Sequence, residues 1–190
     1  VHHFTFFINS LCHFAGKRPF EPETTARDAW WVAFLTFGEG FHNFHHKFQW
    51  DYRNGIRWYD FDPGKWAIKF LSFFKLTSDI RKVEEYIIFK ARFNGLKESV
   101  QLEYPKLPDW VVSLYKEKVQ EVQNQAKQVY EKWHELEKEF KLMKIEGFKD
   151  KLQKAAINQN RKILKMEYAS TLNALSVVLM SIRSGNYIQS

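Results

Sequence analysis

From Val111 to Met143 the apolar positions return in steps of four and three. They are Val111, Tyr115, Val119, Val122, Ala126, Val129, Trp133, Leu136, Phe140 and Met143, with one doubled four at the start. This is the seam of a long amphipathic helix of coiled-coil type. Asp109 stands where its N-cap belongs. Gly147 is expected to interrupt the helix, and a second helical stretch is expected from about Phe148 to Ile182. The pattern therefore predicts a helical hairpin that closes its seam on itself, with pairing between molecules as the alternative. His134 reads as a solvated helix residue.

The first 75 residues follow a different pattern. A short apolar run ends near Phe14, and the loop Gly16-Lys17-Arg18-Pro19-Phe20-Glu21-Pro22-Glu23 carries the punctuation of irregular structure. A second apolar run spans Ala29 to Phe37, with Thr25 or Asp28 placed to cap it. Asp62-Pro63 reads as an N-cap followed by proline at the first helical position. Beyond it, Trp66, Ile68, Phe70, Leu71, Phe73 and Phe74 are interrupted by Lys69 and bracketed by Lys65 and Lys75. A helix lying at a lipid interface fits that pattern. An ordinary core-facing helix also fits, and is the preferred reading on the residues alone. Residues 76–108 look like a basic connector ending in Tyr104-Pro105-Lys106-Leu107-Pro108. The expected plan is mainly α: an aromatic, histidine-rich part over 1–95, a linker over 96–108 and a coiled-coil-like extension over 109–190.

Composition narrows this plan. Hydrophobic residues make up 45% and aromatic residues 17%, enough for a core, while the net charge is +7. A basic chain suits nucleic acid, an anionic membrane surface or an acidic protein. No nucleic-acid module signature is present, and the aromatics sit in apolar runs, so a nucleic-acid partner is not expected. The single cysteine, Cys12, excludes an internal disulfide and reads as a small buried apolar residue. No window holds the run of apolar residues that a spanning helix needs. The chain opens without Met inside an apolar run, as a piece of a longer protein would.

The candidate chemistry lies in Gly38-Glu39-Gly40-Phe41-His42-Asn43-Phe44-His45-His46. On a helix, positions i, i+3 and i+4 share a face, so His42, His45 and His46 are expected to point the same way. Imidazole is the commonest protein ligand for transition metals, and such a cluster is hard to explain as packing. Asn9 and His13 share another helix face, so His13 is a further candidate ligand. Asn9 is a weak ligand better suited to holding a metal-bound water. A mononuclear zinc site remains open on these residues, although the apolar setting suits redox iron and a greasy substrate better. Gly38 and Gly40 read as permitting close backbone approach. Glu39 reads as either an acceptor for a ligand imidazole or an exposed or capping residue. His2 and His3 read as non-ligands, and Phe6 as core packing before acyl-path lining.

The order of these elements resembles the C-terminal catalytic part of membrane fatty acyl desaturases of the delta-9 type, most like the bacterial branch. The matching blocks are His2-His3-x-Thr5-Phe6-x-Ile8-Asn9-Ser10-x-Cys12-His13-Phe14, Gly16-x-Arg18-Pro19, Ala26-Arg27-Asp28 with Trp31, and Leu35 through His46. They continue with Asp51-Tyr52-Arg53-Asn54-Gly55-Ile56-Arg57-Trp58 and Phe61-Asp62-Pro63-x-Lys65-Trp66. The resemblance covers roughly the first 40% of the chain. It implies a membrane helical enzyme with two iron ions, which inserts a cis double bond into a fatty acyl-CoA or acyl lipid using O2 and two electrons.

By the same resemblance His13, His42, His45 and His46 are metal ligands and catalytic residues, with Asn9 acting through a water. The family's first two histidine boxes are absent from this sequence, so the chain reads as an incomplete piece, inactive alone. No haem signature is present, which implies a separate electron donor, cytochrome b5 or a ferredoxin. Lys47, Arg53 and Arg57 are candidates to dock it. The implied location is integral to a bacterial inner membrane or the endoplasmic reticulum, with this part on the cytosolic side. The competing readings are a related membrane hydroxylase, a zinc-dependent hydrolase and a non-catalytic helical interaction protein.

Overall fold

The computed structural model describes residues 2–146 and 151–187, with the backbone alone at 2–5, 7, 145 and 146. The order is α1 (His2–Phe14), α2 (Trp30–Leu35), α3 (His42–Lys47), α4 (Pro63–Phe73), α5 (Glu85–Gln101), a 3-10 turn at Tyr104–Lys106, α6 (Asp109–Glu146) and α7 (Lys151–Ser184). The fold is mainly α, as expected. Among the described residues the only extended pairings are isolated bridges, Lys17 with Asp28 and Asp28 with Phe41. The expected break at Gly147 lies outside the described residues. The chain divides into two compact units, 1–91 and 92–190.

In the first unit, Phe20, Phe44, Phe48, Val83, Ile88 and Ala91 form a buried cluster. Phe44 and Phe48 are four apart, and both meet the Phe20 ring edge-on, at 5.5 and 5.8 Å between centroids. A smaller cluster of Cys12, Ala29 and Val32 joins α1 to α2. Burial pushes the Cys12 thiol up to about 11, with Asp28 and Glu39 adding to the effect. Thiolate is the reactive form, so alkylation of native Cys12 by iodoacetamide at pH 8 is expected to be slow and to accelerate toward pH 11. Denaturant should remove the protection; rapid labelling of the folded chain at pH 8 would refute this.

Polar devices shape the loops. Asp62 caps α4 through Oδ1, which accepts from Lys65 N–H at 3.0 Å, and Pro63 follows it as expected. Its Oδ2 accepts from Asn54 N–H (2.7 Å) and Gly55 N–H (3.0 Å). Lys65, which the lipid-interface reading sent to head groups, is buried instead. Its Nζ donates to the carbonyls of Gly55 (2.9 Å), Arg57 (2.7 Å) and Asp60 (3.1 Å), closing the loop before α4. The preference for a core-facing α4 is overturned as well. Phe70 is 65% exposed and Phe73 82% exposed, with Trp66 and Phe74 also exposed.

The stretch read as a connector is largely helix: α5 runs through residues 96–101, and Tyr86, Ile88, Ala91, Phe93 and Val100 are buried.

In the second unit α6 packs against α7. The seam is as the spacing predicts: Val111, Tyr115, Val119, Val122, Ala126, Val129, Trp133 and Leu136 are all buried, and Phe140 and Met143 are half-buried. On α7 Ile157, Leu164, Tyr168, Thr171, Leu175, Val178, Leu179 and Ile182 are buried. Polar ties set the hairpin's register. Tyr115 Oη lies 2.8 Å from Ser181 Oγ, and Arg161 pairs with Glu137 while lying over the Phe140 ring. The hairpin closes its own seam.

Candidate metal centre

Six residues are too few for a helix to persist without tertiary support, so α3 must be held from outside. Asp28 Oδ1 accepts from the N–H groups of Asn43 (2.8 Å) and Phe44 (3.1 Å). These are amide groups that the helix itself leaves unpaired, and the carboxylate also faces the positive end of the helix dipole. The sequence suggested Thr25 or Asp28 as the cap of α2. That N-cap is Ala29, with no side-chain cap, and both polar residues serve the histidines instead.

Asn43 is the second anchor and is completely buried. Its Oδ1 accepts from Phe20 N–H (2.9 Å) and Glu21 N–H (3.3 Å). Its Nδ2 donates to Glu21 O (3.1 Å), Thr24 Oγ1 (3.3 Å) and Ala26 O (3.0 Å). One side chain therefore fixes the loop 20–26 against α3.

The segment 27–29 then links α1 to α3. Arg27 N–H donates to Cys12 O at 2.7 Å, and Ala29 N–H to Gly40 O at 2.7 Å. The expectation for Gly40 holds, since a Cβ there would lie 2.2 Å from Ala33 N and 2.7 Å from Ala29 O.

This framework brings His13 to the histidines of α3 across 29 residues of sequence. His42 Nε2 lies 3.2 Å from His13 Nε2 and 3.0 Å from His46 Nε2. The rings meet edge-on, with His42 at 5.0 Å from His13 and 4.4 Å from His46 between centroids. One nitrogen from each of the three falls within 4.8 Å of the others. His45 stands aside, its ring 6.4 Å from that of His42 and nearly parallel to it. Asn9 is exposed one turn before His13 on α1.

The electrostatics favour a neutral His42 ring. Burial lowers the His42 pKa from 6.5 to about 4, helped by His46, His13 and His45 in that order. His42 Nδ1 is buried with no hydrogen-bond partner. His13 Nδ1 lies 2.8 Å from Thr25 Oγ1. With the hydroxyl accepting from Nδ1–H, the His13 Nε2 lone pair is directed into the cluster. Three facing imidazole nitrogens, one on a ring that resists protonation, fit a transition-metal ion such as iron or zinc.

Three expectations need correction. Glu39 does not touch an imidazole; its Oε1 accepts from Asn54 Nδ2 at 2.9 Å. Arg53 is not available to a docking partner, because Asp51 holds it in a buried bidentate pair at 2.9 and 2.6 Å. Lys47 pairs with Glu21 at 2.7 Å, and Arg57 is exposed with its guanidinium beside the Tyr59 ring. Phe6 is 70% exposed and packs in no core. His2 and His3 side chains lie outside the described residues.

The fold and cluster define a helical protein with a histidine-built candidate metal site. No family model matches the chain. Known proteins do: 103 residues are 43% identical to acyl-CoA desaturase 1 of Saccharomyces cerevisiae, covering 54% of this chain and 20% of that protein. A probable acyl-CoA desaturase of Schizosaccharomyces pombe is 49% identical over 80 residues, 42% of this chain and 17% of that protein. The sn-1 stearoyl-lipid 9-desaturase of Synechocystis is 47% identical over 81 residues, 43% of this chain and 26% of that protein. Over about half of its length, then, the chain is homologous to acyl-CoA and acyl-lipid desaturases. It spans between 17 and 26% of the length of these three relatives.

Proposed function

We propose that this chain is part of a fatty acyl desaturase, with His13, His42, His45 and His46 as ligands of a two-iron centre. The observation that carries the reading is the convergence of His13, His42 and His46 from two distant segments, in a stretch homologous to desaturases. When bound, iron supplies activation of O2 and removal of two hydrogens from adjacent acyl carbons, the delta-9 position being the one the resemblance implies. The protein's own residues bind and orient. Thr25 fixes the His13 ring, Asp28 and Asn43 fix α3, and Asn9 would hold a water on the bound metal. His45, whose ring stands apart from the trio, would serve the second ion.

The substrate is a fatty acyl-CoA or acyl lipid, with O2 as oxidant and a separate carrier, cytochrome b5 or ferredoxin, as electron source. Four imidazoles are only part of a two-iron ligand set, so the 190 residues alone are expected to be inactive. No helix among the described residues is long and apolar enough to cross a membrane. The exposed aromatics of α4 support attachment to the membrane from one side. The catalytic part is placed within 1–95 and the hairpin at 109–190 outside it, the residues between them being the end of α5 and the 3-10 turn rather than a free linker.

The test is a chimera in which the homologous stretch of the S. cerevisiae desaturase is replaced by that of this chain, in yeast lacking its own enzyme. Gas chromatography should show monounsaturated fatty acids from the chimera and none from its His42→Ala variant. A stably expressed chimera without product would overturn the proposal.

A further inference from the structure

The second unit has an apolar stripe that the hairpin does not use. On α7 the buried residues include Ile157, Leu164, Thr171 and Val178, seven apart, with Tyr168, which meets Phe93 of α5, Leu175 and Ile182 in a second row. On the opposite side Leu152, Ile163, Met166, Val177 and Met180 are all exposed. Their spacing is heptad: Ile163 and Val177 are fourteen apart, Met166 and Met180 likewise, and each Met follows its partner by three. With Ile163 and Val177 as a positions, Leu152, Met166 and Met180 fall at d. These buried rows fall at b and f, on the far side of the helix wheel. A helix apolar on two opposite faces has one face left to bury.

We infer that this face is a self-association surface, and that α7 pairs with α7 of a second copy in a parallel, in-register coiled coil. Charge selects both the partner and the direction. On the flanks of the stripe Lys162 falls at g and Glu167 at e, both exposed. In a parallel pair the g residue of one helix meets the e residue five positions on in the other, so Lys162 faces the partner's Glu167, twice by symmetry. In an antiparallel pair g meets g and e meets e, and these two charges never meet. The only other charged flank residue is Arg183, also at g, and it already pairs with Glu103 of its own chain at 3.0 Å, so an antiparallel arrangement offers Lys162 no acidic partner. Asn173 occupies a d position inside the stripe. A polar residue there sits against its own copy only when the helices are in register.

The experiment is light scattering after size exclusion of the full chain in mild detergent. It should give a protein mass twice 22.8 kDa. Detergent covers the exposed aromatics of the first unit, so association through α7 is read by variants on α7. Ile163→Glu with Met166→Glu should give a monomer with unchanged helical circular dichroism. Asn173→Cys should form a disulfide-linked dimer under mild oxidation, whereas the parent chain, whose one thiol is buried Cys12, should not. Lys162→Glu should weaken the dimer, and adding Glu167→Lys should restore it. A monomeric parent chain, a dimer indifferent to the double Glu variant, or an Asn173→Cys dimer without the crosslink would each overturn the proposal.

Discussion

His42→Ala is expected to lower the affinity of this chain for Co(II) or Fe(II) by about a hundredfold or more, because loss of an outer-sphere partner alone typically costs ten- to a hundredfold. His42 is the common member of both close pairs, at 3.2 Å to His13 and 3.0 Å to His46. Its removal leaves two rings whose centroids are 6.2 Å apart. His45→Ala should have the smaller effect on the first ion bound, since His45 stands outside the trio. Anaerobic titration followed by Co(II) d–d absorption measures both. Equal losses at His42 and His45 would contradict the geometry.

The same residue predicts a pH dependence. Below about 6.5 the unfolded chain takes up a proton on His42 that the folded site refuses until about 4. The unfolded state then binds more protons, so the metal-free first unit should lose stability as pH falls through that window. A bound ion should steepen this loss, because it too requires the neutral ring.

The sequence made the hairpin legible because a long seam repeats one signal many times. From Val111 to Leu136 every position of the seam is buried. It made the cap of α4 legible because Asp62 and Pro63 are adjacent and act on the residues that follow them. The histidines were legible as chemistry, since three within five residues have few other uses, and Gly40 as a close approach.

What escaped was action at a distance. Asp28 caps a helix that begins fourteen residues later, so no local rule for helix starts could assign it. Lys65 looks like a solvated lysine until the loop 55–60 folds back and offers it three carbonyls. Arg53 looked available for docking because its tie to Asp51 is made two residues away in a turn that the sequence does not announce. Asp28 and Lys65 are paired by backbone groups that the fold brings up, and Arg53 by a carboxylate that a turn aims back at it. The convergence of His13 with His42 depends on these same loops, which is why resemblance could join His13 to the α3 histidines while periodicity could not.

Asn43→Ala is expected to destabilise the first unit by about 3 kcal/mol, among the larger effects of a single polar substitution. The side chain makes five hydrogen bonds to the loop 20–26. Its loss strands Phe20 N–H and Ala26 C=O in a buried setting, and each stranded group costs about 1–3 kcal/mol. Asn43→Asp should be no milder, although it keeps the acceptor for Phe20 and Glu21. Its second oxygen would face the carbonyls of Glu21 and Ala26, where Nδ2 now donates, and a buried charge would be added. Asn43 therefore acts as an amide with both ends in use.

Hydrogen exchange of the α3 amides reads the loss directly, and the hairpin amides provide an internal reference. A change below about 1 kcal/mol at α3, or equal changes in both units, would refute the role. Metal separates stability from ligation. An ion held by His13, His42 and His46 should offset part of the defect by binding the folded form alone, so saturating Co(II) should raise α3 protection in Asn43→Ala. It should not do so in His42→Ala, where the ligand itself is gone.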